Sequence, residues 1–393
     1  MAPTTRGMRA RAAASGDRIP PDALFEALLC LPARDVCRLR CVCRSWRDLI
    51  CDPVFAAAHA DAHRGDPPLF LAKFLDDKTS VYVVDLSGAV VKRVAGAGGG
   101  PYQQLLPTRL DVACVAGDRN SCDVLNPATG ALQSLPRNTA PDENAHLVSL
   151  VTSTFFTLGR VAATGEHKVL RMFSSIGLRS GSSRQVFEVI TVSSTSGGEG
   201  HGAQQWRRLQ GPGLFIEECS GTVVDGVVYF MTSSLYDGLG CGIRPDYIVS
   251  FDLGREEWGR DIRGPISSGA GGFMPRFNRN RLALAELSGY LVLAEQDRRP
   301  FTLDLWYLVD SAGRGMTGVW VKQYRIRTRW LVVRLPDDED HLKPLLVLDD
   351  GKLVVYADGR MFICDPKTNS FKPVHMKRLD SVAVYTGNLL SLE

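Results

Sequence analysis

The chain has 393 residues, a formal net charge of +3 and a hydrophobic content of 45%. That hydrophobic content is typical of a globular protein with an ample core, and the small net charge argues against the broad basic surface of nucleic-acid-binding proteins. No apolar run approaches the roughly 20 residues that a membrane-spanning helix needs. The ten cysteines follow no secretory signal, which favours free thiols in a reducing compartment, cytoplasmic, nuclear or both.

The first segment is MAPTTRGMRARAAASG, residues 1–16. It is rich in Arg, Ala and Ser and contains no acidic residue, a composition that transit peptides share. The stretch is short, however, and a segment with helical periodicity follows at once. We therefore interpret residues 1–16 as a disordered tail.

Residues 17–60 are predicted to be helical. The segment IPPDALFEALLCLP (19–32) begins with prolines, and its acids Asp22 and Glu26 suit the positive end of a helix dipole. In LRCVCRSWRDLI (39–50), apolar residues follow at spacings of three and four, which predicts one continuous amphipathic helix. Its apolar stripe consists of Leu39, Val42, Cys43, Trp46, Leu49 and Ile50.

The apolar surface of these helices exceeds what about 40 residues can bury among themselves. We therefore expect part of it to stay exposed as a docking surface for another protein.

Cys41 and Cys43, with His59 and His63 downstream, superficially suggest a zinc site. Zinc-binding loops, however, place two to four residues between the thiolates, so no metal site is predicted. The arginines come with no aromatic platform or glycine-rich loop, so no nucleic-acid contact is predicted either.

The segment from Ile19 to Phe55 resembles an F-box along its whole length. The matching positions are Pro20, Asp22, Leu24, Glu26, Leu28, Leu31, Pro32, Arg38, Val42, Cys43, Trp46, Leu49, Ile50, Asp52, Pro53 and Phe55. Ile19, Ala23 and Ala27 depart from the pattern, which has Leu, Leu and Ile there.

The resemblance implies a small all-α domain that binds a Skp-type adaptor and, through it, a cullin–RING ubiquitin ligase. The residues assigned to adaptor binding are Pro20, Leu24, Leu28, Leu31, Pro32, Val36, Leu39, Val42 and Trp46. The sequence does not separate those that face the adaptor from those that pack inside the domain.

A linker at 61–67 leads into the larger region, residues 68–393, where short apolar runs alternate with Gly, Asp, Asn and Pro. This pattern is typical of strands joined by close turns. In a repeated unit, an apolar residue precedes Asp or Asn, a short turn and a large apolar residue. The unit occurs in VDLSGAVV (84–91), LNPATGAL (125–132), FDLGREEW (251–258) and CDPKTNSF (364–371), and in longer form in 189–206 and 308–320.

Turn chemistry explains the unit, because an Asp or Asn side chain caps the turn between two antiparallel strands. The closing large side chain then packs against a neighbouring sheet. In three companion hairpins, Asp225, Ser288 and Asp350 each precede a glycine at the tight turn. Six units predict a mainly antiparallel β-propeller with six blades, seven being the alternative, and VAVYTGNLLSL (382–392) would close the ring. The fold class is therefore α+β multidomain, a small helical domain followed by a propeller.

The stretch LGRVAATGEHKVLRMF (158–173) is similar to a signature of plant F-box-associated domains, which are kelch-like propellers. The corresponding residues are Gly159, Gly165, Glu166, Lys168, Val169 and Arg171. Arg160 and Val161 replace the usual Tyr and Asp. The likeness covers roughly residues 120–392.

Together the two resemblances imply the substrate-recognition subunit of an SCF-type E3 ubiquitin ligase, with an unidentified protein target. No catalytic residue and no cofactor is predicted, since the sequence carries none of the common catalytic or metal-binding motifs. Two alternatives stay open: an F-box scaffold outside the ligase, and a propeller that binds a small molecule or glycan.

Target binding is predicted on one propeller face, at the long loops 174–183, 232–245 and 261–279. Long loops on a rigid scaffold often carry binding sites, and aromatic and Arg side chains are common anchors. The predicted target-binding residues are Tyr236, Arg244, Phe273, Arg276 and Phe277.

Overall fold

The computed structural model divides into two compact units, Met1–Asp66 with Asn388–Glu393, and Pro67–Gly387. The residues it describes are 19–63, 66–96, 103–117, 120–137, 151–176, 183–192, 205–233, 246–268, 282–297, 301–309, 318–328, 342–387 and 389. No helix in the described part of the chain is both long enough and apolar enough to cross a membrane.

Four helices build the helical unit. They are α1 (Pro21–Leu29), α2 (Ala33–Leu39), α3 (Arg44–Ile50) and α4 (Pro53–Ala62). Their shared core consists of Leu24, Leu28, Val36, Ile50 and Phe55. Asp52 caps α4, since its carboxylate accepts the Val54 amide at 2.8 Å. This unit agrees with the predicted small all-α domain.

The predicted continuous helix over 39–50 is wrong. The chain turns between Leu39 and Arg44, and Cys43 is extended, with φ −159° and ψ 172°. Val36 and Ile50 explain the break, because both lie in the same small core. In one straight helix their fourteen-residue separation would place them about 21 Å apart. The apolar spacing continues across the turn and therefore does not reveal it.

Six antiparallel sheets form the blades of the propeller unit, so the prediction of six blades is confirmed. Strands within a blade are named a to d from the innermost outward. Blade 1 contains β26 (Leu379–Tyr385), β1 (Leu69–Phe74), β2 (Asp77–Val84) and β3 (Val90–Ala95). Blade 2 contains β4 (Gln104–Leu105), β6 (Ala113–Gly117), β7 (Ser121–Leu125) and β8 (Leu132–Ser134). Blade 3 contains β9 (Val151–Arg160), β10 (His167–Ile176), β11 (Ser183–Val192) and β12 (Arg207–Leu209).

The other three blades follow in chain order. Blade 4 contains β13 (Thr222–Val224), β14 (Val227–Met231), β15 (Tyr247–Asp252) and β16 (Glu257–Trp258), with β17 (Ile262–Arg263) also on β15 and α5 (Pro265–Ser268) after it. Blade 5 contains β18 (Leu282–Leu287), β19 (Tyr290–Asp297), β20 (Thr302–Val309) and β21 (Val319–Arg327). Blade 6 contains β22 (Lys343–Val347), β23 (Leu353–Ala357), β24 (Arg360–Asp365) and β25 (Ser370–Pro373).

The ring closes in blade 1, where the last strand of the chain pairs with β1, as predicted. A further strand, β5 (Arg109–Leu110), runs parallel to β26 on its other edge. The amides of Val384 and Thr386 donate to the carbonyls of Thr108 and Leu110 at 2.9 and 3.1 Å. The closing strand is therefore hydrogen-bonded on both edges.

The repeated unit is the turn between strands c and d of a blade, and its predicted capping is confirmed. Asp85 Oδ1 accepts the Ser87 amide, Asn126 Oδ1 the Ala128 amide, Asp252 Oδ1 the Gly254 amide and Asp365 Oδ1 the Lys367 amide, at 2.8–2.9 Å. Side-chain capping of this kind satisfies turn amides that the ladder leaves unpaired. The same local chemistry thus recurs in four blades.

In blades 3, 4 and 5, the large side chain that ends the repeated unit forms a hydrogen bond to the preceding blade. The indole Nε1–H groups of Trp206, Trp258 and Trp320 donate to the carbonyls of Pro136, Gln210 and Arg263, respectively. These distances are 2.6–2.7 Å, and each acceptor lies in the outer strands of the preceding blade or within two residues after them. The predicted packing against a neighbouring sheet is confirmed for these residues and for Phe371.

Gly88 and Gly289 form a matched pair for testing blade contacts. Both have a positive φ, +85° and +84°, but a Cβ on Gly88 would lie 2.1 Å from the His375 carbonyl oxygen, whereas one on Gly289 would meet nothing within 4 Å. Gly289→Ala is expected to cost about 1 kcal/mol of unfolding free energy, from backbone strain alone. Gly88→Ala should cost at least about 2 kcal/mol, because the backbone must also shift. Urea unfolding of both variants measures the difference, and equal losses would contradict the close contact.

Candidate functional site

The nine predicted adaptor-binding residues divide into two groups in the helical unit. Leu24, Leu28 and Val36 lie in its core, and Leu28 is only 1% exposed. Pro20, Pro32 and Val42 are exposed, whereas Leu31, Leu39 and Trp46 are half-buried. In this conformation the first three side chains stabilise the unit, and the other six are the ones accessible to a partner.

Val42 is the most informative of the accessible residues, because 58% of its surface is exposed in the turn between α2 and α3. Ile19 and Val54 are also large, apolar and exposed. Neither belongs to the predicted adaptor-binding set. Their exposure depends on how the four helices pack, and the apolar spacing alone does not report it.

His59 of α4 and His63, which follows the end of that helix, both bond within the helical unit. The Nε2 atoms of His59 and His63 are each 2.8 Å from a carbonyl oxygen, of Leu31 and Leu29. The two rings stack with their centroids 4.1 Å apart. They thus bond to carbonyl oxygens at and just after the end of α1. Within the described residues, no group of three or more His, Cys, Asp or Glu is arranged to hold a metal ion.

Burial lowers the pKa of His59 below 6.5; the bond to Leu31 opposes this shift, His63 reinforces it and Asp66 opposes it. Below pH 6.5 the unfolded chain therefore takes up a proton more readily than the folded one. The helical unit is expected to lose stability as the pH falls through this range, by at most about 1.4 kcal/mol per pH unit from this group. Amide hydrogen exchange across residues 19–63 at about pH 7 and about pH 5.5, corrected for intrinsic rates, measures the effect.

The control variant is His59→Gln, whose side-chain amide retains a donor for the Leu31 carbonyl but does not titrate. It should remove most of the pH dependence. Equal protection of the wild-type chain at both pH values would contradict the role of the buried imidazole.

In the propeller, the F-box-associated signature residues hold blade 3 to blade 4. Lys168 Nζ donates to the Leu253 carbonyl at 2.7 Å and to Glu256 Oε1 at 2.8 Å. Both acceptors lie in the c–d turn of blade 4, and Arg207 also bonds to Glu256. The Gly159 backbone packs so closely that a Cβ there would lie 2.4 Å from the Leu253 side chain. These signature residues are therefore structural.

Arg171, the last signature residue, forms a buried ion pair with Glu188 across strands β10 and β11. The two side chains are 0% and 2% exposed. Arg171 Nε donates to Glu188 Oε2 at 3.1 Å, and its Nη2 bonds to the same oxygen. The guanidinium also lies 3.8 Å from the centroid of the Trp206 ring. Because the Arg171 guanidinium is buried away from water, its positive charge must be stabilised by these contacts.

The turn in which the sequence departs from the signature is intact. The Val161 amide donates to the Glu166 carbonyl, and the Gly165 amide donates to the Val161 carbonyl, both at 2.8 Å. Gly165 has φ +74°. Backbone bonds and a glycine thus form this turn, so Arg160 and Val161 are compatible with it.

The predicted target-binding residues Tyr236, Arg244, Phe273, Arg276 and Phe277 lie outside the described residues. The described strands show only which elements the three loops connect. Residues 174–183 and 232–245 contain the b–c connections of blades 3 and 4, and 261–279 leads from blade 4 to blade 5. Strands in a blade alternate in direction, so the described strand ends that flank these loops lie at one face of the propeller. Their role in target binding stays a prediction.

A second surface was not predicted from the sequence, an apolar patch on one face of blade 5. It consists of Tyr290, Val309, Val319 and Val321, all of them exposed. The pairing of Val309 with Val319 and of Tyr307 with Val321 sets these side chains on the same face. Tyr290 joins them because it lies two residues before Val292, which also pairs with Tyr307. Exposed apolar patches often mark sites of protein contact.

Comparison with known proteins identifies both parts of the chain. Residues 17–56 match the F-box domain. F-box protein At3g07870 of Arabidopsis thaliana is 23% identical, over 95% of this chain and 92% of its own. F-box protein At1g53790 of Arabidopsis thaliana is 25% identical over 61% of this chain, and the chain spans about half (52%) of that protein's length.

Among solved structures, the β-propeller domain of Cps50 (Swd1) from Myceliophteria thermophila is similar at 9% identity and a TM-score of 0.37, over 78% of this chain and 85% of that one. The fold assignment depends on the strand pairing, not on this likeness. Residues 105–387 match the F-box associated beta propeller domain, which is well over half of the chain. The chain therefore belongs to the family of F-box proteins with an F-box-associated β-propeller, an arrangement typical of substrate receptors.

Proposed function

We propose that this protein is the substrate-recognition subunit of an SCF-type cullin–RING E3 ubiquitin ligase. The helical unit binds a Skp-type adaptor, and the propeller captures a protein target. The chain then contributes proximity and no chemistry of its own, since it raises the effective concentration of target lysines near the ligase's catalytic subunit.

One observation carries the adaptor half of the proposal. The helical unit buries five apolar side chains in its own core yet leaves Val42 exposed, with Trp46, Leu39 and Leu31 only half-buried. These residues lie in the segment that matches the F-box domain. Apolar side chains that a small domain leaves uncovered are suited to contact with a partner.

Affinity purification of the tagged full-length chain tests both halves at once. The wild-type chain is expected to retain a Skp-type adaptor and a target. Val42→Asp should lose the adaptor and keep the target. The double variant Phe273→Ala, Phe277→Ala should lose the target and keep the adaptor, and Val321→Asp, in the blade 5 patch, reports whether that surface contributes to capture.

The variants separate the proposal from its alternatives. A wild-type chain that never retains a Skp-type adaptor would contradict the ligase assignment. Retention of the target by both propeller variants would move the target-binding surface away from the predicted face and the patch. A target that binds but is never ubiquitinated would favour the F-box scaffold.

A further inference from the structure

The propeller encloses a central channel of about 740 Å³. Residues from the innermost strands of blades 1, 3, 4, 5 and 6, together with β5 and its flanking residues, line it. Small-molecule sites commonly have volumes of about 300–1,000 Å³. The channel has room for a molecule of that size.

The channel wall is mainly apolar. Leu106, Val223, Leu284 and Leu345 line it and are only half-buried. The Thr222 hydroxyl, also in the wall, donates to the Leu284 carbonyl at 3.2 Å. The packing of the propeller thus leaves apolar side chains partly uncovered around the axis. A ligand that covered them would be stabilised by the burial of this apolar surface.

An ion pair spans the end of the channel at which the a–b turns lie. Arg109 Nη1 donates to Glu286 Oε2 at 2.9 Å. Arg109 belongs to β5, which is bonded to blade 1, whereas Glu286 belongs to blade 5, and blade 6 separates the two. The bond therefore reaches between blades that are not neighbours in the ring.

The two side chains of this pair differ in the number of hydrogen-bonding groups that remain available. Glu286 Oε1 accepts the Gly289 amide at 2.6 Å, so both of its oxygens are occupied. Arg109 uses one N–H for Glu286 and bonds to no other described residue, and 35% of its side chain is exposed. A guanidinium carries five N–H donors. Donors are therefore available to a ligand at this end of the channel.

At the end of the channel where the a–b turns lie, the remaining charged side chains of the lining sum to zero charge. They are Arg160 and Asp225, and Arg160 bonds to the Gly165 carbonyl. The opposite end carries Glu217, Glu218 and Lys343. A negative group at that end would meet two carboxylates and one ammonium. A negative group is therefore best placed next to Arg109.

We propose that the central channel binds an elongated, mainly apolar molecule with one carboxylate, to which Arg109 donates a hydrogen bond. The apolar body lies against Leu284 and its neighbours, and the carboxylate accepts a charge-assisted hydrogen bond. The residues of this site differ from those proposed to bind the adaptor and the target.

Calorimetric titration of the full-length chain with sodium dodecanoate tests the proposal. The wild-type chain is expected to bind it at one site. Arg109→Gln should weaken binding about tenfold or more, and Arg109→Lys, which keeps the charge, should recover part of the affinity. Leu284→Trp should abolish binding by filling the channel. Arg255→Gln is the control, because Arg255 is 80% exposed on the c–d turn of blade 4 and should leave the affinity unchanged.

Thermal melting of each variant checks that the propeller is folded. Absence of binding to the wild-type chain would overturn the proposal, as would equal affinities for wild type, Arg109→Gln and Leu284→Trp. Adaptor binding measured on the same samples is expected to stay constant. A failure of the channel proposal is thereby distinguished from a failure of the ligase assignment.

Discussion

Val42→Asp is expected to weaken binding of a purified Skp-type adaptor at least about a hundredfold without unfolding the helical unit. The side chain is 58% exposed, so a carboxylate there stays hydrated in the free protein. In the proposed complex the same carboxylate would be buried without a partner. Burial of an unpaired charge costs several kcal/mol, and about 2.7 kcal/mol corresponds to a hundredfold change in Kd. Biolayer interferometry with the full-length chain measures the loss.

Two further variants show whether the effect belongs to the interface. Val54→Asp places the same charge on α4 at a valine that is 69% exposed and lies outside the predicted set, so it should bind nearly as wild type. Leu28→Ala removes a core side chain and should lower the stability of the unit by about 2–5 kcal/mol. Unchanged binding of Val42→Asp, or equal losses for Val42→Asp and Val54→Asp, would contradict the assignment of this face.

Glu188→Gln is expected to destabilise the propeller by about 3–5 kcal/mol, the largest effect of any single polar substitution proposed for this domain. The variant removes the Glu188 carboxylate from the Arg171 guanidinium, whose side chain is 0% exposed. The stacking of Arg171 on Trp206 does not neutralise the charge. Urea unfolding followed by tryptophan fluorescence measures the loss.

A double variant separates the cost of breaking the Arg171–Glu188 ion pair from the cost of altered packing. Arg171→Met with Glu188→Leu removes both charges and fills similar space, so it should be clearly more stable than Glu188→Gln alone. Asp350→Asn, at an exposed pair with Lys352, should change stability little. A double variant no more stable than Glu188→Gln would show that the pair acts through shape and not through charge.

Much of the propeller could be predicted because its repeat is local turn chemistry. Asp85, Asn126, Asp252 and Asp365 each cap a turn within three residues of their own position. A pattern that spans so few residues can be recognised in the sequence. Counting such turns gave six blades, and the last apolar run indicated how the ring closes.

Long-range contacts explain what could not be predicted. The strand Arg109–Leu110 pairs with a strand some 275 residues later, and nothing in its two residues indicates that partner. The turn between Leu39 and Arg44 follows from the shared core of the helical unit. Sequence spacing is the same with or without the turn, so the pattern favoured one helix.

The candidate sites show the same division. Composition and the F-box resemblance predicted nine adaptor-binding residues in the helical unit, but they did not divide them into interior and surface. Leu28 and Val42 are both apolar and both match the F-box, yet one is buried and the other exposed. The blade 5 patch depends on the pairing of β20 with β21, which the sequence does not specify by itself.

The most direct test of the central claim is ubiquitin transfer to a captured target in a reconstituted reaction that contains the adaptor, the cullin–RING ligase and this chain. Transfer is expected with the wild-type chain and should disappear with Val42→Asp, although that variant still captures the target. Equal transfer with both chains, or a captured target that never receives ubiquitin, would contradict the account.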